Sequence, residues 1–221
     1  MSQTEVQLIK SSSVVDADIV GMSSSKLTGT LPAVSAANLT NLPAANLTGT
    51  LPAINGANLT GISAGITMAD QWRVNTGGTL TTDGTTDFNA NWERGDTNSH
   101  GQIGSGMNES SGVFTFPSTG IYQIIAIMSF KRNSGDNRYA NLQLKVTTDG
   151  GSSYNLAADG FATFAADYNI SNAIAHFLFD VTSVSTHKVF FSAYTNRSSV
   201  LFLGNTGYNE NSFTFIKLGD T

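Results

Sequence analysis

Apolar and polar positions follow two different rules along this chain. Between residues 27 and 60, Leu27, Leu39, Leu47 and Leu59 fall at alternating gaps of twelve and eight. The segment 27–33, Leu-Thr-Gly-Thr-Leu-Pro-Ala, returns unchanged at 47–53, and 37–40, Ala-Asn-Leu-Thr, returns at 57–60, a strict period of twenty residues. Self-similarity at a fixed period marks units that bury their apolar positions only against copies of themselves. Pro32, Pro43 and Pro52 each follow a leucine and precede an alanine. Proline removes a backbone donor and biases the preceding residue to an extended conformation, so short extended pieces joined by turns are predicted here. From Thr67 onward short apolar runs alternate with clusters of Gly, Asn, Asp and Ser, which predicts strands at 70–74, 112–116, 121–130, 139–147, 162–166, 174–181, 188–194, 200–203 and 212–218. The run 121–130 is nearly continuous in apolar residues, as expected of a strand covered on both faces, and one of those faces is available to another subunit.

Composition sharpens the division. All aromatic residues lie at or after Trp72, and no Asp, Glu, Lys or Arg occurs between Leu27 and Ala69. A single chain of that composition has no second layer against which to bury its leucines and cannot offset its ordering entropy. Three chains side by side could direct Leu27, Leu31, Leu39, Leu47, Leu51 and Leu59 at a common axis, and these residues form the expected shaft core. The chain is therefore divided into an anchor segment, 1–25, a repetitive shaft, 26–66, and a head, 67–221. Residues 1–25 cannot fold alone, and terminal segments of this kind become ordered by docking on a larger assembly.

Charge and cysteine content exclude several classes of function. A net charge of -5 with eleven scattered basic residues argues against a nucleic-acid partner. The absence of cysteine removes disulfide frameworks, thiolate zinc sites and cysteine nucleophiles. No run approaches the roughly 18 apolar residues of a membrane span, and no signal-peptide pattern opens the chain, so assembly in a cytoplasm is expected.

Two resemblances arise from particular residues. The segment 111–122, Ser-Gly-Val-Phe-Thr-Phe-Pro-Ser-Thr-Gly-Ile-Tyr, resembles the strand-turn-strand signature of complement-head and tumour-necrosis-factor-like jelly rolls, and 211–218, Asn-Ser-Phe-Thr-Phe-Ile-Lys-Leu, is similar to their last strand. The resemblance covers about residues 70–221 and implies a ten-stranded jelly roll that assembles as a compact trimer. It departs from the family at 83–106, a stretch rich in Gly, Asn, Thr and Asp. The repeats resemble the Asn-Leu-Thr-Gly-Thr-Leu-Pro-Ala-Ile repeats of phage tail-fibre and other virion structural proteins. Together these imply an all-β protein, an elongated repetitive shaft carrying a jelly-roll β-sandwich head, trimeric.

No constellation points to catalysis. His100, His176 and His187 are too separated for a metal cluster, and no Gly-x-Ser-x-Gly elbow is present. Asp83-Gly84 and Asp87 lack the alternating ligands and closing glutamate of a calcium loop. No cofactor, catalytic residue or metal site is expected. Two loops carry the aromatic, amide and charged groups that suit sugar recognition. One contains Trp92, Glu93, Arg94, Asp96 and His100; the other contains Lys131, Arg132, Asp136 and Arg138. The reading is a phage virion fibre subunit without enzymatic activity, homotrimeric, joined to other virion proteins through its N-terminus and to a host-surface glycan or protein through its head. A capsid head fibre or decoration protein shares the layout, and a secreted lectin-like adhesin and a fibre-borne hydrolase are the alternatives of different class.

Overall fold

The structure is a computed structural model that describes residues 65–135, 138–196 and 199–221. The anchor, and residues 26–64 of the shaft with all six of its core leucines, lie outside the described residues.

Among the described residues there are thirteen strands and no helix. The strands are β1 (Ala69–Val74), β2 (Gly78–Thr79), β3 (Gly84–Asp87), β4 (Trp92–Arg94), β5 (Asn108–Ser110), β6 (Val113–Thr115), β7 (Gly120–Arg132), β8 (Tyr139–Thr147), β9 (Asn155–Thr163), β10 (Ile170–Val181), β11 (Lys188–Thr195), β12 (Val200–Phe202) and β13 (Ser212–Gly219). They form two antiparallel sheets. In the first, β10 pairs the length of β7 on one side, while β13 and β12 share its other side in succession; β13 continues to β1 and β4, and β12 to β2. In the second, the order runs β9-β8-β11, with β6 and β3 sharing the far side of β11 and β5 outside β6.

Strict alternation of side chains explains the layers. On β7, Tyr122, Ile124, Ala126, Met128 and Phe130 are fully buried, whereas Ile121, Gln123, Ile125 and Ile127 are only half-buried on the opposite face. The facing sheet contributes Leu142 and Leu144 from β8 and Val189 and Phe191 from β11, and the neighbouring β13 adds Phe213 and Phe215. An aromatic stack fills the middle: Trp92 meets Phe114 and Phe213 edge-on at ring separations of 4.7 and 4.6 Å, and Phe191 lies 4.7 Å from Phe213. Each such buried ring contributes roughly 1.5–3 kcal/mol by removal from water, before the gain from edge-to-face geometry.

The segment 111–122 shows why its residues are needed. Ser110 pairs with Val113, so Ser111 and Gly112 are the two-residue turn of a hairpin, with φ of 53° and 83°. Turns with positive φ at both central positions match the twist of the flanking strands. A β-carbon on Gly112 would also collide with the Phe88 carbonyl. Beyond the turn, Phe116 stacks on Tyr122 at 4.6 Å, and the Tyr122 hydroxyl donates to the Ser118 carbonyl at 3.0 Å.

Several expectations are corrected in detail. There are thirteen described strands where the pattern predicts nine and the resemblance implies ten: the polar stretch 83–106 contributes β3 and β4, and β2 and β5 are also strands. The strand expected at 162–166 is β9, Asn155–Thr163, and the one expected from 174 begins at Ile170. Small residues on β9 hid it from the pattern. They are there because β9 closes against β10 at the sandwich edge: a β-carbon on Gly160 would strike the Ile174 backbone.

Candidate functional site

The loop 88–106 was expected to offer its side chains to a target, and the structure gives most of them internal partners. β4 lies against β1 with Val74 opposite Trp92, Arg73 opposite Glu93 and Trp72 opposite Arg94, so each pair shares a face. Trp92 enters the aromatic stack, and its indole N–H donates to the Phe88 carbonyl at 2.7 Å. Arg94 grips the buried Asp70 carboxylate with Nε and a terminal nitrogen, at 3.0 and 3.1 Å, and lies 4.6 Å from the Trp72 ring centre. Asp70 Oδ2 also accepts from the Trp72 indole at 2.8 Å and from the Met107 amide at 2.7 Å. A buried carboxylate is tolerated because both oxygens accept hydrogen bonds and a guanidinium balances the charge.

Arg73 is the second such anchor. It is 1% exposed, although it lies on the outward side of β1, because the turns near Asp96 and Thr206 fold over it. Its Nε pairs with Glu93 at 2.9 Å and a terminal nitrogen with Asp96 at 2.7 Å, while Thr97, Asn209 and the Thr206 carbonyl take its other hydrogens. The Arg73 hydrogen bond holds the Glu93 carboxyl below its ordinary range against the opposing effect of burial, and a Thr206 hydroxyl adds to it. Asp96 keeps 64% of its side chain exposed. His100 is half-buried over Gly95, where a β-carbon would come 2.6 Å from its Nδ1.

The second loop is less enclosed. Lys131 sets its ammonium 5.6 Å from the Tyr168 ring centre, Arg132 pairs with Asp167 at 2.8 Å, and Arg138 is exposed. Asp136 lies outside the described residues. The structure thus gathers Glu93 and Asp96 on Arg73, sets Arg94 on Asp70 and Trp92 in the aromatic stack, and brings Lys131 and Arg132 to a separate turn beside the start of β10.

A larger surface feature was visible only in part from the sequence. On the outward face of the first sheet, β10 presents Ile170, Ile174 and Leu178, which are 59%, 55% and 56% exposed. Ile174 is directly opposite Ile127, and Leu178 opposite Gln123, which in turn faces Ile216 on β13. The half-buried Ile121, Ile125 and Ile127 of β7 complete an apolar field three strands wide. Polar residues are interleaved with it: His176 and Gln123 bond each other at 3.0 Å, Ser129 bonds Asn172 at 2.8 Å, and Asp180, Ser212 and Thr214 take further outward positions. The same sandwich edge carries the exposed Leu156 and Phe161 of β9.

The described head is similar to solved structures over nearly their whole length. It matches Eiger TNF from S. frugiperda with a TM-score of 0.51 and 11% identity, over 71% of this chain and 95% of that one. The head has the tumour-necrosis-factor-like jelly-roll fold. Murine APRIL matches with a TM-score of 0.47 at 14% identity, over 68% of this chain and 99% of that one. The PRD1 vertex protein P5 matches with a TM-score of 0.42 at 20% identity, over 71% of this chain and all of that one. No protein-family model and no curated protein matches the sequence.

On this jelly roll the histidines stay apart. His176 is on β10, whereas His187 follows a turn and is held by Thr182 and Thr186 at 3.3 and 3.0 Å. Among the described residues no group of three His, Cys, Asp or Glu side chains is placed to hold a metal ion. The outward face of the second sheet differs from that of the first. It is grooved, and its lining mixes rings with charges.

Proposed function

We infer that the chain is a non-enzymatic structural subunit of a phage virion, a homotrimeric fibre whose head associates through the first sheet and displays the rest of its surface to a host. The observation that carries this reading is the apolar field on β10, β7 and β13. Large exposed apolar residues scattered singly need no explanation, but a contiguous field across three paired strands is what an interface looks like before its partner is added. The partner of best fit is a copy of the chain. The tumour-necrosis-factor-like fold implies a compact trimer, and the twenty-residue repeats that precede the head need copies of themselves to bury their leucines.

Residues 1–25 would join the fibre to other virion proteins, in a virion assembled in the host cytoplasm. Attachment through the head would gain from avidity, since three identical weak sites per fibre bind together far more tightly than one. The two loops, through the exposed Asp96 and Arg138 and the partly buried His100, Lys131 and Arg132, are proposed contacts with the host surface. A capsid fibre or decoration protein is the second reading, favoured by the same repeats and head.

Replacing both Ile174 and Leu178 by Asp tests the assembly. Neither residue belongs to the core, so the β-rich circular dichroism spectrum is expected to persist while the oligomer dissociates. An oligomer unchanged by both charges would overturn the interface.

A further inference from the structure

The outward face of the second sheet carries two depressions, of about 470 and about 290 Å³, that share Val113 and Tyr154 and so form one groove. Volumes of this order lie around the lower part of the roughly 300–1,000 Å³ typical of small-molecule sites. The register builds its floor. Phe190 on β11 sits between Val113 on β6 and Lys145 on β8, all pointing outward, and Lys188 sits between Thr115 and Thr147 one step along. Tyr154 stands beside Phe190 with ring centres 5.7 Å apart. The result is a patch of ring and methyl surface open to solvent.

Polar groups frame that patch, and several have spare bonding capacity. Among the described residues the Asp87 carboxylate, the Lys145 ammonium and the Tyr154 hydroxyl have no hydrogen-bond or ion-pair partner, although all three line the groove. Lys188 uses one donor on the Gly150 carbonyl at 2.6 Å, and Glu109 uses one oxygen on the Gly112 amide at 2.7 Å. The wall that holds Tyr154 is itself fixed. Asp149 accepts from Thr147 Oγ1 at 2.5 Å, from Ser153 Oγ at 2.6 Å, and from the Ser153 and Gly151 amides at 3.1 and 3.2 Å. These bonds hold the Asp149 carboxyl well below the usual carboxylate range, the Ser153 hydroxyl contributing most.

The geometry points to this groove as a binding site for a neutral saccharide, one or two pyranose rings of a host-surface glycan. A pyranose ring has an apolar face of C–H groups and a rim of hydroxyls. The first suits Tyr154, Phe190 and Val113, and the second suits an acceptor such as Asp87 set against donors such as Lys145 and Lys188. Opposed charges at the groove favour hydroxyls, which both give and accept hydrogen bonds, over a polyanion or polycation. The groove also lies on the sheet opposite the apolar field, so covering that field leaves it open. The inference rests on the attachment half of the function proposed above and is independent of the trimer.

Saturation-transfer NMR on the full chain with the methyl glycosides of glucose, galactose, mannose and N-acetylglucosamine tests it. Saturation of the ring C–H protons of at least one glycoside is expected. It should be lost in Tyr154→Ala, and affinity should fall about tenfold in Asp87→Asn, the loss expected for one hydrogen bond to a charged group. No saturation with any of the four glycosides, or saturation that survives both substitutions, overturns the site. Light scattering on the same samples separates the two proposals, since neither substitution touches the first sheet and the mass of the oligomer should not change.

Discussion

The two outward faces of the sandwich are built from the same strand geometry and do opposite things with it. On the first sheet the outward positions of β7, β10 and β13 carry seven isoleucine and leucine residues, which offer area and shape but no direction, interleaved with Gln123, Ser129, Asn172, His176, Asp180, Ser212 and Thr214. On the second sheet the outward positions of β6, β8 and β11 carry Val113, Lys145 and Phe190, with Asp87 and Tyr154 at the margins. A flat apolar face suits a large partner with the same face, whereas a groove with a few directional groups suits a small polar ligand. The inner faces, by contrast, are alike, both mainly apolar and meeting in one core, with Asp70 the buried charge among them. The fold therefore leaves each outward face free to specialise.

The most severe way to break this contrast is to loosen the sandwich that separates the faces. Arg94→Ala leaves the buried Asp70 carboxylate without its cation, and removing one partner of a buried pair costs about 3 kcal/mol at the lower end of the usual range, appropriate because the Arg94 side chain is 35% exposed. Thermal unfolding should report a drop of roughly 6–12 °C for a domain of this size, and both faces should lose function together. Next in size is the paired replacement of Ile174 and Leu178, which removes assembly while saccharide binding by each subunit persists. Tyr154→Ala does the reverse, and its cost to stability should stay near that of a surface substitution, about 0.5 kcal/mol.

The smallest effect concerns pH. Asp149 is more acidic in the folded chain than an ordinary carboxylate, so its contribution to the order of the Tyr154 wall is fully present above the unfolded value of about 4 and is lost only as pH falls through the lower folded value. The Gly151 and Ser153 amides should hold their chemical shifts from neutral pH down to about 4. In Asp149→Asn the same amides should exchange faster at every pH in that range. A titration of those shifts centred near pH 4 would show that the carboxylate does not organise the wall.

What could be read from the sequence depended on whether a strand carries its own signal. β7, β8, β11 and β13 alternate or run apolar over eight residues or more, and their existence follows from that alone. β3 and β4 do not, because Gly-Thr-Thr-Asp and Trp-Glu-Arg become strands only by pairing with β11 and β1. The apolar field was half legible: the run 121–130 announced a second covered face, but the exposed Ile170 of β10 lay before the strand expected there. The loop 88–106 was identified as rich in chemistry, and Arg94, Glu93 and Asp96 spend that chemistry on Asp70 and Arg73, partners twenty or more residues away in sequence that only the β1–β4 register brings close. The groove was illegible for the same reason. Asp87, Val113, Lys145, Tyr154 and Phe190 come from five separate places in the chain, and none of them is unusual where it stands.

In the proposed trimer the first sheet's apolar face meets copies of itself around a threefold axis. Light scattering of the purified full chain measures this directly. A mass close to three times 23.3 kDa that does not change on dilution through the micromolar range is expected. A stable species of 23.3 kDa that keeps its apolar face in water would contradict the trimer.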